Sequence, residues 1–141
     1  MQHAPLTPEQ LAAIHAEAFE APWDAAAFAQ LLDSTGVSLL GDERGFILTR
    51  TIADEAEILT IAVRPSNRRQ GLARHLVEQA VVATRVLGAE RMFLEVAENN
   101  LPAISLYAAC GFEQVGLRKN YYTRADGSSE HARVMVLNFL L

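Results

Sequence analysis

The spacing of apolar residues changes several times along this chain, and each change marks an element. In TPEQLAAIHAEAF, residues 7–19, Leu11, Ile14, Ala18 and Phe19 recur at helical spacing and share one inner face. Thr7 is placed as its N-cap, Pro8 at the first helical position and Gln10 at the reciprocal capping position. After a turn at Pro22-Trp23, Asp24 is placed to cap a second helix, which packs through Phe28, Leu31 and Leu32 and ends at Gly36. The period then shortens. VSLLG and FILTRTIA, joined by a turn at Asp42–Gly45, predict a β-hairpin, and AEILTIAV, residues 56–63, predicts a third, central strand closed by Pro65.

Helical spacing returns over 71–87, where Leu72, Leu76, Ala80, Val81, Thr84 and Leu87 share a face and Gly88 stops the helix. A strand follows over 91–96. Asn99 or Asn100 then caps a helix from about 101 to 109, with Pro102 in its first turn and Gly111 after it. FEQVGLRKNYYT and HARVMVLNFLL predict two closing strands around a loop at ADGSS. The order α-α-β-β-β-α-β-α-β-β implies an α/β protein with a mixed sheet rather than a regular βαβ repeat.

Composition narrows the class without naming a chemistry. A chain of 141 residues, half of them hydrophobic and 21% charged, is expected to form one globular domain over 1–141. No apolar run approaches the roughly 20 residues of a membrane span, and MQHAPLTPEQ lacks the regions of a signal peptide. Cys110 is the only cysteine, which rules out an intrachain disulfide and fits a cytoplasmic protein. The histidines at 3, 15, 75 and 131 have no ligand-like spacing, so no metal is expected. The net charge of −5 is unevenly spread. Residues 1–60 carry ten acids against Arg44 and Arg50, while residues 61–141 carry ten bases against seven acids. A basic half suits an anionic ligand and an acidic half a cationic one. Nucleic acid is disfavoured, because no basic stripe is interleaved with aromatic residues.

Two stretches carry candidate chemistry. AVRPSNRRQGLARHL holds Arg64, Arg68, Arg69 and Arg74 without an acid, and Gly71 stands where a helix begins. A helix start offers unpaired N–H groups and a positive dipole end, which together suit phosphate. Neither the P-loop nor the dinucleotide glycine pattern is present. The second stretch is RMFLEVAENN, in which Glu95 interrupts an apolar strand. Burying an uncompensated carboxylate is costly. Alternation puts Phe93 and Glu95 on one face and Met92, Leu94 and Val96 on the other. Glu95 is thus either a water-facing carboxylate or a group aimed into a cleft.

Arg68-Arg69-Gln70-Gly71-Leu72-Ala73 matches the Arg/Gln-x-x-Gly-x-Gly/Ala signature of the GNAT N-acetyltransferases, in the strand–turn–helix context that the signature requires. LEVAENNLPAISLYAACGF and RKNYYT further resemble the bacterial ribosomal-protein-alanine N-acetyltransferases, the RimI subfamily. The likeness runs from about Glu55 to Tyr122, with Ala21-Pro22-Trp23-Asp24 and Phe28 adding to it upstream. It implies a GNAT fold, a mixed, mostly antiparallel twisted sheet flanked by about four helices. It also implies acetyl-CoA as acetyl donor and a protein N-terminus, that of a small-subunit ribosomal protein beginning with alanine, as acceptor. By this resemblance the backbone of Ile61, Ala62 and Val63 meets the pantetheine and acetyl group. The loop of Arg68, Arg69, Gln70, Gly71, Leu72, Ala73 and Arg74 holds the pyrophosphate, and a bulge opens the central strand from its neighbour.

The resemblance further assigns Glu95 as general base and Tyr107 as general acid. An α-amino group, with a pKa of about 7.7–8.0, must lose a proton to attack, and the departing thiolate must gain one. Tyr107 is otherwise a core tyrosine. Asn100 matches a cofactor-contacting position and is equally a helix cap. Tyr121 and Tyr122 match a tyrosine pair beside the entering peptide. Trp23 is a wall of the peptide groove or simply core. Cys110 reads as a small apolar residue rather than a nucleophile. The chain departs from the family in having little room for a first strand, in Ala97 where relatives often carry arginine, in a loop one residue longer at ADGSSEHARVM, and in His131 where an acid is common. Two other readings stand beside this one: acetylation of a small amine, and a non-catalytic acyl-CoA sensor.

Overall fold

The computed structural model describes residues 5–123 and 126–139. Its elements follow the predicted order. They are α1 Pro8–Ala18, α2 Ala25–Leu32, β1 Val37–Asp42, β2 Gly45–Ile52, β3 Glu55–Val63, a 3-10 turn Pro65–Asn67, α3 Leu72–Val86, β4 Arg91–Ala97, α4 Leu101–Ala109, β5 Glu113–Thr123 and β6 Ser129–Asn138. The caps act as the sequence implies. Thr7 and Gln10 bond reciprocally across the start of α1, Asp24 accepts from the Ala27 N–H, and Asn100 accepts from the Ala103 N–H.

The six strands form one sheet in the order β1-β2-β3-β4-β6-β5. Every neighbouring pair is antiparallel except β3 and β4, which run parallel because α3 carries the chain across between them. Strand alternation then sorts side chains to two faces. On one face Ala56 and Ile58 of β3, Met92, Leu94 and Val96 of β4 and Met135 of β6 pack against Leu72, Leu76, Val77 and Ala80 of α3 and Tyr107 of α4. On the other, Phe46 and Leu48 of β2 and Ala62 of β3 pack against Leu11, Ile14 and Phe28 of the two N-terminal helices.

One residue changes how β3 is used. Thr49 pairs with Ile58 but Leu48 pairs with Thr60, so Leu59 is an extra residue in β3. The bulge reverses the alternation. Before it, Ala56 and Ile58 face α3; after it, Thr60 and Ala62 face the N-terminal helices. The ladder from β3 to β4 stops just short of it, at Glu57 opposite Phe93. From Ile58 to Val63 the strand is paired on its β2 side only. The two parallel strands therefore part towards their C-terminal ends, as the family resemblance implies.

Several expectations need correction. Phe19 lies beyond α1 and is exposed, while His15, absent from the predicted inner face, is 2% exposed. Leu87 caps α3 and is also exposed rather than facing inward, because the helix ends one residue before the spacing does. β6 begins at Ser129, so the last loop is shorter than ADGSS; Ala125 of that loop lies outside the described residues, as do His3, Leu140 and Leu141. No strand precedes α1 among the described residues.

Candidate active site

The parting strands open beside the start of α3. Gly71 caps that helix with φ of +75°, a left-handed conformation that glycine adopts without steric cost, and a Cβ built there meets nothing within 4 Å. The space in front of the helix is thus open, and no acid occupies its first turn. The first N–H groups of α3, those of Leu72, Ala73 and Arg74, have no carbonyl within the helix to bond and no side-chain cap, while the His75 N–H bonds back to the Gly71 carbonyl. Arg69 is also left-handed, at φ +63°, which turns the loop into the helix within two residues. This cradle suits the pyrophosphate of a nucleotide.

The four arginines divide their work. Arg64 donates from Nε to the Glu43 carbonyl at 2.6 Å and pairs with Glu17 of α1, so it ties the end of β3 to the N-terminal half. Arg74 pairs with Glu78 one turn along α3 at 3.2 Å. Arg68, Arg69 and Gln70 are exposed at the helix mouth. Leu72 instead points into the core, and Ala73 is half-buried. Ile61 and Val63 are half-buried on the α3 side, and Ala62 is buried on the other. The backbone of these three residues borders the opening.

Glu95 stands on β4 past the point where β3 leaves it, with its side chain 17% exposed. It is on the face away from α3, opposite Val134 of β6, as alternation requires. It is not alone there. An Arg118 guanidinium nitrogen lies 2.6 Å from Glu95 Oε1. The same guanidinium sits over the Tyr121 ring at 4.4 Å, and the Tyr121 hydroxyl donates to Glu95. That hydrogen bond, then burial and the Glu95 charge, push the Tyr121 phenol up from its ordinary range. The bond to Glu95 likewise raises Arg118, which keeps its charge.

Sequence reasoning found Tyr121 but passed over Arg118, although RKNYYT contains both. The geometry that joins them is a bulge. Arg118 pairs with Ala132 and Tyr122 with Glu130, so three residues of β5 face one of β6. Asn120 turns left-handed there, and its N–H donates to His131 Nδ1 at 3.0 Å. Without this irregularity Tyr121 would not be turned back onto the arginine three residues before it. Tyr122 keeps its strand position, while its side chain lies outside the described part of the structure.

Tyr107 on α4 is 5% exposed and packs edge-on against Phe112 at 5.7 Å, within the apolar cluster that includes Leu72 of α3 and Leu94 of β4. Asn100 caps its helix at 3.3 Å. Burial pushes the Cys110 thiol up and outweighs the opposing effect of Arg74, which fits an inert residue. Trp23 is half-buried and stacks at 5.0 Å on His15, whose Nδ1 accepts the Trp23 N–H at 3.1 Å. Nδ1 is therefore unprotonated, and Nε2 carries the proton that it donates to Thr60 Oγ1 at 3.1 Å. Burial lowers the imidazole pKa to about 4. His15 thus fastens the Trp23 loop to β3 just past its bulge, a role that no spacing in the sequence signals. Among the described residues no group of three or more His, Cys, Asp or Glu could hold a metal ion, and no helix is long and apolar enough to cross a membrane.

Comparison with known proteins agrees with this geometry. The model of the acetyltransferase (GNAT) family matches residues 9–112. The ribosomal protein bS18-alanine N-acetyltransferase of Escherichia coli K12 is 39% identical over 97 residues, covering 69% of this chain and 65% of that protein, just under two thirds of its length. The Haemophilus influenzae protein of the same name is 32% identical over 134 residues, covering 90% of this chain and 89% of the relative. The crystal structure of the ribosomal-protein-S18-alanine N-acetyltransferase from Escherichia coli superposes with a TM-score of 0.85 at 31% identity, over 95% of this chain and 88% of that one. The matched segment contains the bulged strand, the open helix start, Glu95 and Tyr107, and on these grounds the chain belongs to the GNAT acetyltransferase family.

Proposed function

We propose that this protein, acting as one catalytic domain, is an acetyl-CoA-dependent N-terminal protein acetyltransferase. Its acceptor is the α-amino group of an N-terminal alanine, that of a small-subunit ribosomal protein. The name shared by its relatives supports the substrate class. The observation that carries the reading is the mostly buried Glu95, beyond the end of the β3–β4 ladder and on the face away from the apolar core.

Acetyl-CoA supplies an acetyl group activated as a thioester. Main-chain groups of Ile61, Ala62 and Val63 orient it along the unpaired edge of β3. The amides from Arg69 to Arg74, with the exposed Arg68, hold the pyrophosphate by hydrogen bonds and the dipole of α3. Asn100, besides capping α4, borders this cosubstrate. Trp23, Tyr121 and Tyr122 flank the peptide. Glu95 takes the proton that the α-ammonium gives up, directly or through one water. The amine nitrogen then bonds to the acetyl carbon, the carbon–sulfur bond breaks, and Tyr107 returns a proton to the leaving sulfur. The ammonium nitrogen gives up two protons over the turnover, one before attack and one as the amide forms; one is matched by the proton gained at sulfur and the other is released to solvent.

Mass spectrometry of peptides incubated with acetyl-CoA tests the reading. Peptides beginning with Ala, Ser, Met and Gly are compared with free lysine and polyamines. Acetylation of the alanine peptide at its α-nitrogen is the expected result. Transfer to small amines alone, or to nothing, removes the N-terminal acceptor from the proposal.

A further inference from the structure

The pairing of Glu95 with Arg118 poses a problem for a general base. A lone carboxylate attracts an ammonium ion and stabilises it, which makes the amine harder to deprotonate. Arg118 stands 2.6 Å from that carboxylate, so the entering amine meets a nearly neutral pair rather than a bare negative charge. The pair is built into the fold. Arg118 and Glu95 share one face of the sheet across β6, with Val134 and Ala132 beneath them. Gly116 faces Val134 without a side chain, so nothing from β5 fills the space between. Stacking on Tyr121 fixes the guanidinium from its other side.

The remaining charged groups around this pair are themselves engaged. Glu57 of β3, near enough to act on Tyr121, is held by Arg50 of β2 at 3.2 Å. On β6, His131 Nδ1 accepts the Asn120 N–H, and Glu130 Oε1 accepts the Asn99 N–H at 2.8 Å. Arg133 alternates to the opposite face with Met135. Arg118 is thus the cation in direct contact with the candidate base.

We propose that Arg118 is a positioning residue whose charge, acting through Glu95, keeps the bound α-amine in its neutral, nucleophilic form. This rests on the N-terminal acetyltransferase reading above and deepens it. An α-amine with a pKa near 8 needs only a small push to be neutral at physiological pH, whereas a lysine ε-amine near 10.4 needs a far larger one. The Glu95–Arg118 pair therefore favours α-amines over side-chain amines.

The test is the pH profile of acetylation of an alanine-initiated peptide by the parent protein, Arg118→Gln and Arg118→Lys. For Arg118→Gln, kcat near pH 7 falls about tenfold, the equivalent of one unit of amine pKa, and the deficit closes by about pH 9. The peptide KM does not rise, because a bare Glu95 binds the ammonium better. Arg118→Lys keeps the charge but loses the planar stack on Tyr121, so its deficit near pH 7 is smaller than that of Arg118→Gln. A loss uniform across pH, or a profile that superimposes on the parent, overturns the proposal. A second measurement needs no variant. The N-terminal nitrogen of a 15N-alanine peptide, titrated by NMR in the complex of the parent protein with CoA, should have a pKa at or below that of the free peptide; a raised pKa overturns the proposal. If the parent acetylates no N-terminal peptide, the functional reading fails first and is recognised as such.

Discussion

The two faces of the sheet are built on opposite principles. Against α3 and α4 lies a continuous apolar cluster, from Ile47 and Ala56 through Met92 and Leu94 to Met135, without an ionised side chain among its buried members. The other face is apolar only under the N-terminal helices, where His15 is buried among the apolar side chains. Beyond them it carries ionised pairs, Arg50 with Glu57 and Arg118 with Glu95, on four different strands. One face holds the strands and α3 in place; the other supplies charge where the strands part. Burial does the first task because it is strong and non-directional. Hydrogen-bonded ion pairs do the second because their bonds are directional.

Substitutions can break this contrast, and the largest effect belongs to the apolar face. Leu76→Ala removes a side chain 1% exposed and should cost about 3–4 kcal/mol in urea unfolding. Arg50→Gln on the charged face should stay within about 1 kcal/mol, since half-exposed pairs contribute little. Equal losses would erase the distinction. Next comes acid sensitivity from His15. Its folded pKa is lowered, so the neutral ring stabilises the fold fully above about pH 6.5, and this stability is lost as pH falls towards 4. The loss is about 3 kcal/mol at 1.36 kcal/mol per unit. A His15→Gln variant should lack this component of the denaturation midpoint between pH 7 and 4; parallel curves for the two proteins would count against it.

The third effect is catalytic rather than structural. Glu95→Gln should lower turnover by about 10²-fold, roughly 2.7 kcal/mol of barrier, while calorimetry finds CoA binding little changed. Unchanged turnover across pH would remove Glu95 from its role. The smallest effect lies at the helix mouth. Gly71→Ala meets no neighbour but must hold φ of +75°, so it should cost about 1 kcal/mol of stability and weaken CoA binding. Stability lost with CoA affinity intact would mean that Gly71 serves only the backbone turn.

Elements with strong local signals were legible in the sequence. Thr7-Pro8 with Gln10, Asp24 and Asn100 act through bonds to residues three positions away, so their spacing carries the information. The open start of α3, the candidate phosphate cradle, was legible for the same reason, since Arg69, Gly71 and the first turn of the helix are contiguous. Errors came where an element's end depends on packing, as at Phe19 and Leu87, whose apolar character continued the period after the helix had stopped. His15 was missed because its partners Thr60 and Trp23 lie 45 and 8 residues away.

Local chemistry along the chain thus determined the element order, the caps and the alternation that sets Glu95 on the face opposite Met92, Leu94 and Val96. Only the tertiary structure decided that Leu59 would bulge, that β3 would leave β4 at Glu57, and that Arg118 and Tyr121 would close on Glu95 from 23 and 26 positions away. The physical reason is range. Capping and alternation act within a few residues, whereas the partners of a carboxylate are whichever groups the sheet brings within hydrogen-bonding distance.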